Sequence, residues 1–171
     1  MNESLDESSG TLYIVATPIG NLEDITLRAL RILKEVDYIA AEDTRHTKKL
    51  LNHFGIGTKL ISYYREQELQ RAEQLITFLE KGQNIALVTD AGTPCISDPG
   101  AVIVEKARQK QLKTVPIPGP SALTAALSCA GIGEGAVMFH GFAPAKKNMR
   151  KQLLQSLTHA DYYAAFYESP H

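Results

Sequence analysis

A chain of 171 residues can close one full core and begin a second, burying about 70% of its unfolded surface, with no need of disulfides or a metal. Its 18 basic and 19 acidic residues leave a net charge of −1, which argues against strong nonspecific nucleic-acid binding by the chain as a whole. The two cysteines, Cys95 and Cys129, have no metal spacing and suit a reducing compartment, no apolar run is long enough to span a membrane, and the polar, acidic Met1 to Gly10 is unlike a signal peptide; the expectation is a soluble, cytosolic protein.

After a leader over residues 1–10, Leu12 to Thr17 reads as a buried strand and Pro18 to Asp24 as its exit loop. The next helix presents Leu27, Leu30, Ile32, Leu33 and Val36 as its apolar face, with Asp24 or Thr26 as cap. Tyr38 to Ala41 is a second strand, Thr44 to Phe54 a helix ended by Gly55, and Leu60 to Ser62 a third strand. Glu66 to Lys81 carries Leu69, Leu75, Ile76 and Leu79 at helical spacing and ends at Gly82. Asn84 to Thr89 is the fourth strand, and its helix is expected to open with Asp98 as cap and Pro99 in the first turn. Val115 to Pro118 ends a fifth strand, and Ser121 to Ala130 forms a small-residue helix.

Strands alternating with helices at this spacing imply right-handed crossovers and a parallel, Rossmann-like α/β sheet covered on both faces. That domain is assigned to residues 11–131. Residues 132–171 read as the start of a second α/β domain: a strand at Ala136 to His140, a basic helix at Lys146 to Leu157 and a strand at Tyr162 to Tyr167. Two strands and one helix cannot cover their own apolar faces, so the chain is expected to be truncated or to pair with another.

Three loops leave C-terminal strand ends: TPIGNL, DAGTPCISDPG and PGPSA. In a parallel sheet they share one edge, where ligands are held. DAGTPCISDPG read alone is equally compatible with a polar surface connection. Gly20, Gly92 and Gly119 permit close backbone approach, and Thr93 and Ser121 offer hydroxyls. The absence of GxGxxG after any strand, of GxxxxGK[ST] and of GxSxG argues against dinucleotide dehydrogenases, P-loop NTPases and serine hydrolases. His46, His53, His140 and His159 lack metal spacing. Two basic clusters, Arg45, His46, Lys48, Lys49 and Lys146, Lys147, Arg150, Lys151, stand at helix starts and suit either solvated faces or phosphate contacts.

Taken in order, LYIVATPIGNLEDITLRALRIL, IAAEDTRHTKKLLNHFGI, ALVTDAGTPCISDPG, VPIPGPSALTAAL and FYESPH closely resemble a family of small-subunit ribosomal RNA methyltransferases within the tetrapyrrole methylase superfamily. The resemblance covers Thr11 to His171. It implies a two-domain fold holding S-adenosylmethionine (SAM) between domains, a homodimer, a chain that continues past His171, and methyl transfer to the ribose 2′-hydroxyl of a cytidine in the decoding region of 16S ribosomal RNA. By the same resemblance, SAM contacts fall on Gly20, Ala91, Gly92, Thr93, Pro94, Ile96, Ser121, Ala122, Tyr167 and Glu168. RNA phosphates fall to the two basic clusters. Where the tetrapyrrole enzymes carry Gly-Gly-Asp-Pro, this chain has Ala91-Gly92-Thr93-Pro94, so that aspartate's role has no direct heir. Glu42, Asp43 and Asp90 are the carboxylates open to a role as base, and the catalytic residue is left unassigned. A tetrapyrrole methyltransferase and a non-catalytic SAM-binding or dimerising fragment stand as the alternative readings.

Overall fold

Short apolar strands gain stability only by pairing and by covering both sheet faces, and five of them do so here. A computed structural model describes residues 8–168. Strands β1 (Leu12–Val15), β2 (Tyr38–Ala41), β3 (Lys59–Ser62), β4 (Ile85–Val88) and β5 (Thr114–Ile117) form one parallel sheet in the order β3-β2-β4-β1-β5. Helices α1 (Leu27–Glu35) and α2 (Thr44–His53) follow β1 and β2; α3 (Glu68–Glu80) and α4 (Ala101–Gln109) follow β3 and β4.

The strand order fixes which helix lies on which face. From β1 the chain steps through β2 to β3 in one direction, then returns through β4 to β5 in the other. Right-handed crossovers put helices of the outward leg on one face and those of the return leg on the opposite face. Two separate cores result. One gathers Ala29, Ile32 and Leu33 of α1 with Leu50 and Leu51 of α2, and the other gathers Ala72, Leu75, Ile76 and Leu79 of α3 with Ile103 and Ala107 of α4. Strand β4, at the centre, is buried at every residue.

Helix phases differ from the sequence reading at two leucines. Thr26 caps α1 by accepting the Ala29 amide at 3.0 Å, which makes Leu27 the first helical residue and leaves it 86% exposed while Ala29 takes the core position. In α3, Leu69 is 66% exposed and Ala72 is buried instead. Small alanines let these helices approach the sheet closely, and an apolar pattern weighted toward leucine overlooks them.

A first compact unit ends at Ser121 and a second begins at Ala122. The leader residues 1–7 lie outside the described residues. Gly10 is buried and donates its amide to the Leu79 carbonyl at 2.7 Å, so its backbone belongs to the first unit. The second unit contains α5 (Ala122–Cys129), β6 (Val137–Phe142), α6 (Lys147–Ser156) and β7 (Tyr163–Tyr167). Strands β6 and β7 pair in parallel, with an irregularity between Phe139 and Phe142, and His140 stacks on Phe166 at 4.8 Å. Of residues 122–168 none is buried. The last three residues of the FYESPH motif lie outside the described residues. Among the described residues no helix is long and apolar enough to cross a membrane.

Candidate functional site

The three loops at the C-terminal edge of the sheet are joined by hydrogen bonds. Thr17, after β1, exchanges backbone bonds with Gly92, after β4: the Thr17 amide donates to the Gly92 carbonyl at 2.9 Å and the Gly92 amide returns the bond at 3.0 Å. The Thr17 hydroxyl donates to the Thr89 carbonyl at 3.1 Å, and the Thr93 hydroxyl donates to the Pro120 carbonyl, after β5, at 3.3 Å. Of the two hydroxyls expected to serve a ligand, Thr93 and Ser121, that of Thr93 therefore fastens one loop to the next. At Gly20, φ is 142° and no atom lies within 4 Å of where a Cβ would stand, so the backbone there needs glycine and borders open space.

The loop from Asp90 to Gly100 is held against its own preferences. Cys95 and Ser97 adopt φ of 70° and 67°, a left-handed conformation that costs about 1–2 kcal/mol for a residue with a Cβ. Such strain persists when surrounding bonds over-determine it. Here the Cys95 amide donates to the Pro99 carbonyl at 3.3 Å, Arg65 Nη2 donates to the Ser97 carbonyl at 3.4 Å, and the Gly100 amide donates to Glu68 Oε1 at 2.8 Å. Tyr63 Oη donates to the same Glu68 oxygen at 3.2 Å. Burial first, then Glu68 and Asp98, push the Cys95 thiol up to about 11, so the sulfur stays protonated and packs as an apolar group.

Those bonds overturn the expected opening of α4. Asp98 is not its cap, and Pro99 is not in its first turn: the helix starts at Ala101, behind Gly100 with φ 135°. The fold-back from Cys95 to Pro99 uses the Pro99 carbonyl, and the carboxylate that serves the helix entrance is Glu68, from the start of α3. Asp98 instead faces other acids. Its carboxyl is raised by burial first, then by Asp90, against the lowering effect of Arg65.

Glu42, at the exit of β2, belongs to the same group. Burial raises its carboxyl, Asp90 and Asp98 raise it further, and Arg65 opposes them. Its neighbour Asp43 is the reverse case. Asp43 caps α2 by accepting the Arg45 amide at 2.8 Å and takes the Arg45 guanidinium on both oxygens, at 3.1 and 2.8 Å. Those side-chain bonds, and next the backbone bond, hold its carboxyl well below the usual range. Asp90 Oδ1 accepts the Asp43 amide at 3.2 Å and so ties the loop after β4 to the head of α2. Of the three carboxylates open as bases, Asp43 is a cap and ion-pair partner, Asp90 a brace, and Glu42 the one made more basic. Neither Arg65 nor Glu68 was marked by the sequence, since each acts across more than thirty residues of chain and belongs to no motif.

The first basic cluster divides by direction. Arg45 is engaged with Asp43, and Lys48 is exposed. His46 and Lys49 join Leu50 and His53, also on α2, with Pro18, Leu22 and Asp90, around a cavity of about 250 Å³. In the second unit, Lys147, Arg150 and Lys151 line a shallow face of α6 with Leu154, Gln155 and Thr158. Lys146 precedes that helix, and Arg150 Nη1 donates to the Pro144 carbonyl at 3.3 Å. Of the expected SAM contacts, Gly20, Ala91, Gly92, Thr93, Pro94, Ile96 and Ser121 lie in the first unit. Ala122, Tyr167 and Glu168 lie in the second, where Tyr167 packs edge-on against Phe139 at 4.8 Å. Among the described residues, no group of His, Cys, Asp and Glu is arranged to hold a metal ion.

A doubly wound parallel sheet with strained, glycine-bearing loops gathered at its C-terminal edge defines a ligand-binding α/β domain. The chain belongs to the tetrapyrrole (corrin/porphyrin) methylases, whose family model matches residues 11–171. It is 51% identical over 170 residues to the ribosomal RNA small subunit methyltransferase I of Escherichia coli O157:H7, covering 99% of this chain and 59% of that protein. It is also 51% identical to the protein of that name from Halalkalibacterium halodurans, covering 96% of this chain and 57% of that protein. The chain thus spans less than two thirds of the length of these relatives. Among solved structures it is similar in fold to a diphthine synthase, with a TM-score of 0.68 at 18% identity over 95% of this chain and 65% of that one. A uroporphyrin-III-C-methyltransferase from Thermus thermophilus gives 0.57 at 22% identity over 77% of this chain and 59% of that one.

Proposed function

We propose that this chain is part of a SAM-dependent methyltransferase that methylates the ribose 2′-hydroxyl of a cytidine in the decoding region of 16S ribosomal RNA. The observation that carries this reading is the 51% identity over 99% of the chain to a protein named as a small-subunit ribosomal RNA methyltransferase, against 22% to a tetrapyrrole methyltransferase. The same reading carries a homodimer and a cytoplasmic location.

The loop after β4 fits the proposed cofactor. Ala91 and Ile96 are exposed on a backbone fixed by the bonds to Thr17, Arg65 and Glu68, and Gly20 borders open space. Ala91, Gly92, Thr93, Pro94 and Ile96 would hold SAM with Gly20 and Ser121, and the family resemblance also assigns Ala122, Tyr167 and Glu168 as contacts. When bound, SAM supplies the methyl group as an activated sulfonium. The protein's own contribution is alignment, which can supply about 7–11 kcal/mol of such a barrier, and a place for the hydroxyl proton. We assign that proton to Glu42, because burial and the neighbouring Asp90 and Asp98 raise its basicity. Arg45, His46, Lys48 and Lys49 on α2, and Lys146, Lys147, Arg150 and Lys151 at α6, serve as phosphate contacts.

The test is methyl incorporation by the full-length protein from labelled SAM into undermethylated small subunits and, separately, into a porphyrinoid. Label at a cytidine ribose of 16S RNA is expected. Label in the porphyrinoid alone would establish the tetrapyrrole reading instead, and SAM binding by the 171-residue chain in calorimetry, with no transfer to either acceptor, would support the non-catalytic reading.

A further inference from the structure

We infer that the cavity between α2 and the loops after β1 and β4 is a nucleotide subsite, which takes one unpaired RNA nucleotide whose base carries an exocyclic amino group. The inference rests on the reading of the chain as an RNA-modifying enzyme and names where a single nucleotide is held. His46, Lys49, Leu50 and His53 recur at the spacing that brings residues of α2 onto one face. Opposite them stand Pro18 and Leu22, from the loop after β1, and Asp90 at the exit of β4.

The lining has three chemistries and each excludes an occupant. Pro18 and Leu22 form an apolar wall, with Leu50 on the α2 side adding to the apolar lining, and a free inorganic anion would require none of it. Lys49, flanked by His46 and His53, supplies donors for a phosphate, which an apolar ligand would leave unused. A volume of about 250 Å³ falls below the roughly 300–1,000 Å³ of sites for drug-sized ligands, which suits a base and its phosphate better than a larger ligand. A flat base against the apolar wall and the imidazoles, with its phosphate at Lys49, uses all of it; unpaired RNA bases are held by such stacking and read along their edges.

Asp90 sets the preference among bases. Its Oδ1 accepts the Asp43 amide at 3.2 Å, and an ionised carboxylate keeps acceptor capacity beyond one bond. It can take an amino hydrogen of cytosine; uracil presents a carbonyl oxygen at that position and would be repelled.

Cytidine 5′-monophosphate, uridine 5′-monophosphate and inorganic phosphate, titrated separately into the isotope-labelled chain, test this by amide shift changes. Cytidine monophosphate is expected to shift residues 19–22, 46–53 and 90, and to bind about tenfold more tightly than uridine monophosphate, the worth of one hydrogen bond to a charged group. Lys49→Glu should weaken both nucleotides, Asp90→Asn should erase the preference between them, and Leu22→Trp should fill the cavity. Leu22 is 40% exposed, and an unchanged melting midpoint in Leu22→Trp keeps a loss of binding from being read as misfolding. Equal binding of all three probes would mean an anion site only, and unchanged nucleotide binding in Leu22→Trp would place the nucleotide elsewhere; either overturns the inference. The functional reading fails separately. If the full-length enzyme methylates 16S RNA while Leu22→Trp and Lys49→Glu keep their KM for small subunits, the subsite is wrong and the function stands. If cytidine monophosphate binds as expected and no 16S methylation occurs, the subsite stands and the function is wrong.

Discussion

Both units of this chain are made from short parallel strands and amphipathic helices, yet they end in opposite states. In the first, four helices cover two faces of a five-stranded sheet, and β4 is buried at every position. In the second, β6 and β7 pair and stack their rings, but Val137, Met138, Phe142, Met149, Leu154 and Tyr163 remain exposed. Backbone pairing is thus satisfied in both, and burial in only one. Burial of apolar area, at roughly 25 cal/mol per Å², is what separates a core from a paired ribbon.

The sharpest way to break this comparison is to truncate one leucine in each unit. Leu75 in α3 is fully buried, and Leu154 in α6 is 52% exposed. Leu75→Ala should cost about 2–5 kcal/mol, as buried leucines do, and Leu154→Ala no more than about 0.5 kcal/mol, both read from urea unfolding of the chain. Equal costs would show that the second unit closes a core of its own in solution.

A second pair sets glycine against glycine. A Cβ on Gly100 would stand 2.7 Å from both Cys95 Sγ and Leu87 Cδ2, at a φ of 135°, so Gly100→Ala should cost about 2–4 kcal/mol through strain and overpacking together. Gly131, in the second unit, has φ 63° and no atom within 4 Å of a Cβ position. Gly131→Ala should cost only the backbone strain, about 1–2 kcal/mol. A reversed ranking in thermal melts would move the tight packing out of the loop after β4.

Local chemistry made most elements legible in the sequence. Thr26 caps its helix through a side chain next to the amide it serves, and the apolar strand tetrads declare a sheet buried on both faces. The loops at the sheet edge followed from strand direction alone. What escaped was decided from far along the chain. Asp98 and Pro99 have the form of a helix start, but Glu68 takes the Gly100 amide and Arg65 the Ser97 carbonyl, and no local pattern announces either. Similarly, the basic run on α2 was visible, whereas its division into an Arg45 paired with Asp43 and a Lys49 lining a cavity depends on Pro18 and Leu22 arriving from another loop.

Thr17 tests how firmly the edge loops are joined. Its hydroxyl serves the Thr89 carbonyl in a buried setting, so Thr17→Val leaves an acceptor short of a partner and should cost about 1–2 kcal/mol. The Gly92 amide, which donates to the Thr17 carbonyl at 3.0 Å, should exchange faster with solvent than in the unaltered chain, while the amides of β6 and β7 keep their rates. Unchanged exchange at Gly92 would show that the backbone bridge holds the loops without the hydroxyl.

The smallest effect lies at the junction of β2 and α2, where adjacent carboxylates should respond to pH with opposite signs. Glu42 is raised above the roughly 4.3 of an unfolded glutamate, so folding opposes its charge. That penalty is present above its folded pKa and disappears as pH falls below the unfolded value, where the residue is protonated in both states. Glu42→Gln should therefore raise the unfolding midpoint at pH 7, and the gain should fade toward about pH 4. Asp43 is lowered by Arg45, so its contribution is present above the roughly 3.9 of an unfolded aspartate and is lost as pH falls toward its depressed value. Asp43→Asn keeps a capping oxygen but loses the ion pair, and should lower the midpoint at pH 7 with a deficit that shrinks in acid. If Glu42→Gln instead destabilises the chain at neutral pH, Glu42 is bound to a partner that rewards its charge, and it cannot be the carboxylate poised to receive a proton.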